Sequence, residues 1–118
     1  MILPGSLSLI LRKDLNFSEK HISKLRFFAR KLLEFNKSYN LISKSTENDL
    51  WNRHILDSAQ LVNHIDTLKC DGIADLGSGG GFPGIVLAIF YDNFNFHVKL
   101  YEKSSVKAKF LKKIVNEL

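Results

Sequence analysis

The sequence has little cysteine, little proline and no long apolar run. One cysteine, Cys70, and two prolines occur among 118 residues. A single cysteine excludes an internal disulfide and a cysteine-only metal cluster and favours a reducing compartment, so we expect a cytoplasmic protein without a metal. No apolar run approaches the roughly 20 residues of a membrane-spanning helix. Arg12 and Lys13 come too early for a secretory signal, so we expect no membrane association.

Acidic residues are also in deficit. The chain has 17 Lys and Arg against 12 Asp and Glu, a net charge of +5. The excess lies in the first half, where nine basic residues stand against three acidic ones between Arg12 and Lys44. With 45% apolar and 25% charged residues, the composition is that of one folded domain. The basic half predicts either a polyanion partner, with nucleic acid first, or a solvated lysine-rich surface.

The apolar spacing changes character near residue 70. Residues 1–70 have the three-and-four spacing of amphipathic helices, and residues 71–118 follow a β-α-β-α order. Three helices are predicted in the first part: a short one over Ser6–Lys13, one capped by Ser18 and reaching Lys37, and one opened by Thr46, with a break near Arg53, reaching Ile65. The second part is predicted to have a strand Ile73–Leu76, a helix after Pro83, a strand over Phe96–Leu100 and a last helix capped by Ser104 or Ser105. The fold class is therefore α/β, with a helical N-terminal extension.

Two parallel strands do not form a stable sheet by themselves. The apolar pattern of the last helix also continues up to Leu118. We therefore expect residues 71–118 to be the start of an incomplete parallel-sheet domain, truncated after the second β-α unit. We do not expect the 118-residue chain alone to be active.

The strongest chemical signal is the glycine-rich segment from Asp75 to Gly84, between a predicted strand and a predicted helix. Glycine allows positive φ angles and lets the backbone approach a ligand closely. Residues 79–84 match the Gly-x-Gly-x-x-Gly pattern of dinucleotide-binding proteins. Asp75, Gly77, Gly79 and Gly81 match the Asp-x-Gly-x-Gly-x-Gly pattern that binds S-adenosylmethionine.

The acidic residues favour the second pattern. A carboxylate at Asp75 would repel a pyrophosphate, whereas it would attract the cationic amino acid and sulfonium of S-adenosylmethionine. Glu102 follows Gly81 by 21 residues, at the end of the next predicted strand. A carboxylate there is placed to accept hydrogen bonds from ribose hydroxyls. A glycine-rich turn that binds nothing is the remaining alternative.

Three segments together resemble one family. They are Phe35-Asn36-Lys37-Ser38-Tyr39-Asn40-Leu41, Arg53-His54-Ile55-Leu56-Asp57-Ser58 and the loop Asp75–Gly84, which ends in Phe82-Pro83-Gly84. The sequence resembles the bacterial small-subunit ribosomal RNA (guanine-N7)-methyltransferases of type G, also called glucose-inhibited division protein B. Phe35 stands where that family commonly has tryptophan.

The resemblance implies a class I S-adenosylmethionine-dependent methyltransferase fold, which is Rossmann-like. It implies methyl transfer from S-adenosylmethionine to N7 of a guanine in 16S rRNA, with the 30S subunit as partner and a monomeric protein. Gly77 and Phe82 would lie against the cofactor and Glu102 at its ribose. The adenine-side contacts, an arginine and much of the RNA-facing pocket would come from later strands of the family.

Other polar residues have two interpretations each. Arg53 and His54 would contact RNA, or they would join Asp57 in a buried polar network, which we favour. Asn40 would contact RNA or close the loop before Thr46. Tyr39 and Phe35 are expected in the core, and His21 and His64 on the surface.

No catalytic base is predicted. Guanine N7 already has an exposed lone pair, so positioning and desolvation would account for catalysis. Two other functions stay open: a non-catalytic RNA-binding module, and a fragment of a dinucleotide-binding oxidoreductase.

Overall fold

A computed structural model describes residues 2–118. Helical residues dominate the first 64 positions, and a β-α-β-α unit follows. The elements are α1 (Gly5–Leu9, continued by wider turns over Ile10–Asp14), α2 (Glu19–Asn36), a 3-10 helix (Lys44–Asp49), a wide-turned helix (Trp51–Leu56), α3 (Asp57–Ala59), a second 3-10 helix (Gln60–His64), β1 (Gly72–Leu76), α4 (Gly84–Phe90), β2 (His97–Tyr101) and α5 (Ser105–Glu117).

The long helix α2 begins where its sequence predicts. The hydroxyl of Ser18 accepts from the backbone N–H of His21 at 3.1 Å, and Nδ1 of His21 accepts from the backbone N–H of Ser18 at 3.1 Å. This reciprocal capping box satisfies two N–H groups that the helix itself leaves free. The predicted apolar face is buried at Ile22, Leu25, Phe28, Ala29 and Leu32.

One hydrophobic core joins both parts of the chain. It contains residues from the first helix, α2, the Trp51–Leu56 segment, α4 and α5, including Leu11, Phe28, Trp51, Ile85 and Ile114. The helices α4 and α5 bury their apolar faces against the N-terminal helices. The residues after 70 are therefore packed on the residues before 70. This arrangement fixes the position of the segment between β1 and α4.

The two strands form a parallel sheet with the register Gly72↔His97 through Leu76↔Tyr101. Asp75 and Leu100 lie on the face toward α4, since a Cβ atom on Gly84 would be 2.7 Å from Oδ2 of Asp75 and 2.1 Å from Cδ2 of Leu100. The opposite face is open, with Leu76 77% exposed. The α/β class with a parallel pair is therefore confirmed.

The predicted third helix is wrong in its start, while the break predicted near Arg53 falls in the wide-turned segment Trp51–Leu56. A 3-10 helix, Lys44–Asp49, begins after Ser43. Thr46 is inside this turn, where its hydroxyl donates to the carbonyl of Ser43 at 3.0 Å. Thr46 therefore does not cap an α-helix, and the chain runs to His64 through segments of different winding.

The expected core position of Tyr39 is also wrong, because Tyr39 is 47% exposed. Ala88 on α4 and Val115 on α5 are exposed as well, Val115 at 55%. Phe110 takes the core position on α5, because its ring packs against Phe35 with centroids 5.1 Å apart. The helix α5 is thereby rotated so that Val115 points away from the core.

His21 is less exposed than its predicted surface position requires. Its side chain is 12% exposed, and Nε2 lies 3.0 Å from a carboxylate oxygen of Asp92, which also pairs with Lys24 at 3.2 Å. These contacts connect the turn after α4 with the start of α2. No helix within residues 2–118 is long and apolar enough to cross a membrane.

Candidate cofactor-binding loop

The glycine-rich segment between β1 and α4 is held by its own hydrogen bonds and by the end of β2. The backbone N–H groups of Gly77 and Ser78 both donate to the carbonyl of Tyr101, at 2.8 and 3.0 Å. The buried hydroxyl of Ser78 donates to the carbonyl of Asp75 at 3.0 Å. The N–H of Gly81 donates to the carbonyl of Ser78 at 2.8 Å. The loop therefore has a fixed path past the carboxyl ends of both strands.

Three alternating glycines adopt backbone angles that other residues rarely reach. Their φ angles are 77° at Gly77, 57° at Gly79 and 106° at Gly81. A Cβ atom at Gly77 would have no neighbour within 4 Å, and one at Gly79 would have only the carbonyl oxygen of Gly77, at 3.9 Å. Conformation alone therefore demands glycine at these two positions. The space above them is open to a ligand that approaches the backbone.

Gly81 is needed for a second reason. A Cβ atom there would be 2.7 Å from Cγ1 of Ile85 and 3.1 Å from Cζ of Phe28. The loop backbone thus packs directly on the side chains of α2 and α4. The position of the loop therefore depends on the position of the N-terminal helices.

Glu102 connects the loop with the residues after β2. Its Oε1 accepts from the backbone N–H of Gly79 at 2.7 Å, and its Oε2 accepts from the backbone N–H of Ser104 at 2.8 Å. The hydrogen bonds from Ser104 and Gly79 hold the pKa of the Glu102 carboxyl below its ordinary value. The side chain is therefore a carboxylate at neutral pH. Each of its oxygens keeps a further lone pair with which to accept from a ligand hydroxyl.

Asp75 is buried, and its Oδ2 accepts from the backbone N–H of Gly84 at 3.0 Å. Gly84 must be glycine because its Cβ would overlap Leu100 and the Asp75 carboxylate. The loop pattern in the sequence includes Gly84 after Phe82-Pro83, but it does not indicate this packing role. Asp75 thus fixes the first residue of α4, while its contact with a cofactor stays a prediction.

Phe82 connects the loop to the N-terminal helices. Its ring stacks on the His54 imidazole, with centroids 5.0 Å apart and planes 28° apart. It also packs at a tilt against Phe28, with centroids 5.4 Å apart. The Phe82–Pro83 peptide is cis. Phe82 and His54, predicted from separate segments, therefore meet at the base of the loop.

His54 is held in one neutral form. Burial and the neighbouring charge of Arg53 hold the pKa of its imidazole below the ordinary value. Its Nε2 lies 2.9 Å from the hydroxyl oxygen of Thr46, and that hydroxyl already donates to Ser43. When the Thr46 hydroxyl donates to the Ser43 carbonyl, the tautomer of His54 with the proton on Nε2 completes this pair.

The favoured buried network of Arg53, His54 and Asp57 is wrong. Arg53 and Asp57 are both exposed, and His54 pairs with Thr46 instead. The reason is the wide winding of Trp51–Leu56, which departs from the regular helix on which the predicted pairing depended.

The side chain that closes the loop before Thr46 is that of Asn36, whereas the sequence suggested Asn40 for this role. Asn36 is buried, and its side-chain oxygen accepts from the backbone N–H groups of Leu41 and Ile42 at 2.8 and 3.1 Å. Its amide nitrogen donates to Glu47. Asn40 is exposed. A polar residue four positions after Leu32 on the buried face of α2 was the signal that could have identified Asn36.

The structure thus defines a protein of the parallel α/β class, in which ligands bind at the carboxyl ends of the strands. Glycine loop and acidic residue both lie at that end. Comparison with known families gives the assignment: the model of the rRNA small subunit methyltransferase G family matches residues 21–118. The chain belongs to this family.

Individual relatives agree with the family assignment. The ribosomal RNA small subunit methyltransferase G of Bartonella henselae is 44% identical over 103 residues, which cover 86% of this chain and 46% of the relative. That of Borrelia turicatae is 44% identical over 104 residues, covering 87% and 49%. That of Pelagibacter ubique is 39% identical over 112 residues, covering 92% and 52%. The chain spans about half the length of these curated relatives.

Proposed function

We propose that this chain carries the cofactor-binding loop of an enzyme that transfers a methyl group from S-adenosylmethionine to N7 of a guanine in 16S rRNA. The observation that carries the proposal is the Glu102 carboxylate on the N–H of Gly79, 2.7 Å away. It brings the predicted ribose acceptor onto the predicted cofactor loop. The 30S ribosomal subunit would be the partner, and the protein would act as a cytoplasmic monomer with a class I methyltransferase fold.

The described residues fit such a cofactor. The open space over Gly77 and Gly79 lets a ligand lie on the loop backbone. Glu102 has lone pairs left for ribose hydroxyls. Gly81 and Phe82 would support the loop from below, through their packing on Phe28.

Asp75 would act through its charge. Its Oδ2 is engaged by Gly84, and the buried carboxylate adds negative charge beneath the loop, which favours a cationic ligand over a pyrophosphate. Bound S-adenosylmethionine supplies a methyl group on a positively charged sulfur.

The residues of this chain would contribute by positioning. Guanine N7 attacks with its own lone pair, so no general base is required. Arg53 is exposed and available to an RNA phosphate, and exposed Asn40 to RNA as well. His54, neutral and stacked on Phe82, would shape the wall of the site next to the guanine.

A non-catalytic RNA-binding module of the same family is the second candidate. The basic first half of the chain, with nine basic against three acidic residues between Arg12 and Lys44, favours it. Both candidates predict RNA binding, but only the enzyme requires S-adenosylmethionine binding at the loop.

Two substitutions at Gly79 test the cofactor proposal. A positive φ angle costs about 1–2 kcal/mol for alanine at this position, and β-branched valine is more strained there. A Cβ at this position meets no atom closer than 3.9 Å. Valine adds two methyl groups beyond the Cβ, where the ligand would lie. We expect calorimetry to show S-adenosylmethionine binding that weakens with Gly79→Ala and is abolished with Gly79→Val, with circular dichroism confirming that both variants are folded.

The outcomes separate the candidates. Equal affinity in Gly79→Val and wild type would place the cofactor elsewhere or show that the chain binds none. Binding of NAD⁺ in preference to S-adenosylmethionine would favour the dinucleotide alternative. A parallel titration with RNA shows whether the chain retains RNA binding when cofactor binding is lost.

A further inference from the structure

A small pocket lies at the C-terminal end of α2, apart from the glycine loop. Its volume is about 210 Å³, and its lining comes from the end of α2, the turn after it and α5. The residues that line it include Lys31, Glu34, Phe35, Tyr39, Phe110 and Lys113. This volume is below the roughly 300 Å³ at which pockets for drug-sized ligands begin. The pocket therefore has room for a single planar group and not for a larger ligand.

The pocket wall is a column of aromatic rings. Tyr39 stacks on Phe35 with centroids 4.8 Å apart and planes 28° apart. Phe35 in turn packs on the buried Phe110 at 5.1 Å. Tyr39 is nevertheless 47% exposed. Its backbone N–H donates to the carbonyl of Phe35 at 3.1 Å, and the stacking on Phe35 leaves about half of the residue uncovered. The outermost ring of the column, that of Tyr39, is therefore accessible to a ligand.

Positive charge surrounds this ring. Lys31 and Lys113 line the pocket together with one acidic residue, Glu34, which lies 3.8 Å from Lys31. Lys113 has no carboxylate within 4.0 Å in the part of the chain that the structure describes. The whole of α5 carries four lysines and one glutamate. Such a surface favours an anionic ligand that also contains a planar group able to stack on the ring.

We propose that this pocket, here called the Tyr39 platform, binds one unpaired nucleotide of RNA. The base stacks on the exposed ring of Tyr39, and the ammonium groups of Lys113 and Lys31 contact the adjoining phosphates. Exposed aromatic rings flanked by basic residues are how proteins hold single-stranded nucleic acid, because every base offers a flat face. The proposal rests on the proposed function, since it names a second contact of this chain with its RNA substrate.

The segment that follows Tyr39 contacts the glycine loop. Asn36 draws the backbone of Leu41 and Ile42 inward. A Cβ atom on Gly80 would be 3.3 Å from the carbonyl oxygen of Leu41. The turn that presents Tyr39 thus continues into a segment in contact with the loop. One strand of RNA can therefore occupy the platform while a neighbouring part of the RNA reaches the cofactor site.

The test uses the full 118-residue chain and a labelled 12-nucleotide single-stranded RNA of mixed sequence. Base–aromatic stacking is worth about 1–3 kcal/mol per base, which corresponds to about 5- to 160-fold in affinity. Because half of the Tyr39 ring is already covered, we expect Tyr39→Ala to weaken binding by about tenfold in fluorescence anisotropy. Tyr39→Phe keeps the ring and should stay within about twofold of wild type.

A matched control is Phe94→Ala. Phe94 is an aromatic residue of nearly equal exposure, 49%, but it packs on Phe90 and Tyr91 at the end of α4. Phe90 contacts His21 at the start of α2, about 20 Å along that helix from Phe35 at 1.5 Å per residue. We expect Phe94→Ala to leave RNA affinity unchanged. Circular dichroism confirms that each variant is folded.

Charge and strandedness give two further readouts. Lys113→Ala should reduce the slope of log affinity against log salt by about 0.7, the value for one phosphate contact in single strands. The same RNA annealed to its complement should lose the dependence on Tyr39, because its bases are already stacked. Equal losses in Tyr39→Ala and Phe94→Ala, or no RNA binding by wild type, would overturn the platform.

The platform and the proposed function fail in different ways. If RNA binding depends on Tyr39 but calorimetry finds no S-adenosylmethionine binding, the platform stands and the enzyme proposal falls. If S-adenosylmethionine binds and Tyr39→Ala leaves RNA affinity unchanged, the enzyme proposal stands and the platform falls.

Discussion

Replacing Gly81 with alanine tests whether the glycine loop is built on the N-terminal helices. Two costs arise in the structure. The φ angle of 106° is unfavourable for alanine, at about 1–2 kcal/mol. The new Cβ would also lie 2.7 Å from Cγ1 of Ile85 and 3.1 Å from Cζ of Phe28, and overpacking of a core costs about 1–3 kcal/mol. Together we expect a loss of about 2–5 kcal/mol in the free energy of unfolding.

Gly77→Ala is the matched control. Gly77 has a φ angle of 77° and no atom within 4 Å of a Cβ position. It therefore carries the conformational cost alone, about 1–2 kcal/mol. The difference between the two variants measures the packing of the loop on Ile85 and Phe28. Urea unfolding followed by the fluorescence of Trp51, the single tryptophan and 2% exposed, reports the core directly.

A double-mutant cycle sharpens the result. In an Ile85→Ala background the closest atom to the new Cβ is gone, while Cζ of Phe28 at 3.1 Å and Cβ of residue 85 at 3.2 Å remain. Gly81→Ala should therefore cost less in that background than in the wild-type chain, but still more than Gly77→Ala. The two substitutions should therefore be non-additive, since their side chains touch. Additive losses, or equal losses in Gly81→Ala and Gly77→Ala, would refute the inference that the loop is packed on the helices.

Two further predictions concern the residues around the loop. Asn36→Ala leaves the buried N–H groups of Leu41 and Ile42 without their acceptor. At about 1–3 kcal/mol per group, we expect urea unfolding to show a loss of about 2–6 kcal/mol. Exposed Asn40→Ala should stay within about 0.5 kcal/mol, and similar losses in both would contradict the assignment. The second prediction is a pH dependence: burial lowers the pKa of His54 from its ordinary 6.5, so the unfolded chain binds the proton more tightly and stability falls as pH is lowered from 7 through 6.5 toward the folded pKa. The fall should be smaller in His54→Gln, and an unchanged pH profile in that variant would show that His54 is not the responsible group.

The sequence by itself determined the elements whose signals are local. Ser18 and the apolar spacing after it specify the start and buried face of α2, because a capping residue and its helix lie within four positions of each other. The glycine-rich segment predicted a turn with positive φ angles, which the structure has at Gly77, Gly79 and Gly81. Three short segments were enough to indicate the family.

Only the tertiary structure decided how separate segments meet. The acceptor for Leu41 and Ile42 is Asn36 and not Asn40, because the buried face of α2 continues to its last residue. His54 stacks on Phe82 and its Nε2 lies within hydrogen-bond distance of the Thr46 hydroxyl, because the wide winding of Trp51–Leu56 turns the ring there. Tyr39 is exposed although its spacing suited the core, since Phe110 from α5 already fills the far side of Phe35. These contacts depend on how side chains from distant segments pack together, and no local sequence pattern specifies that packing.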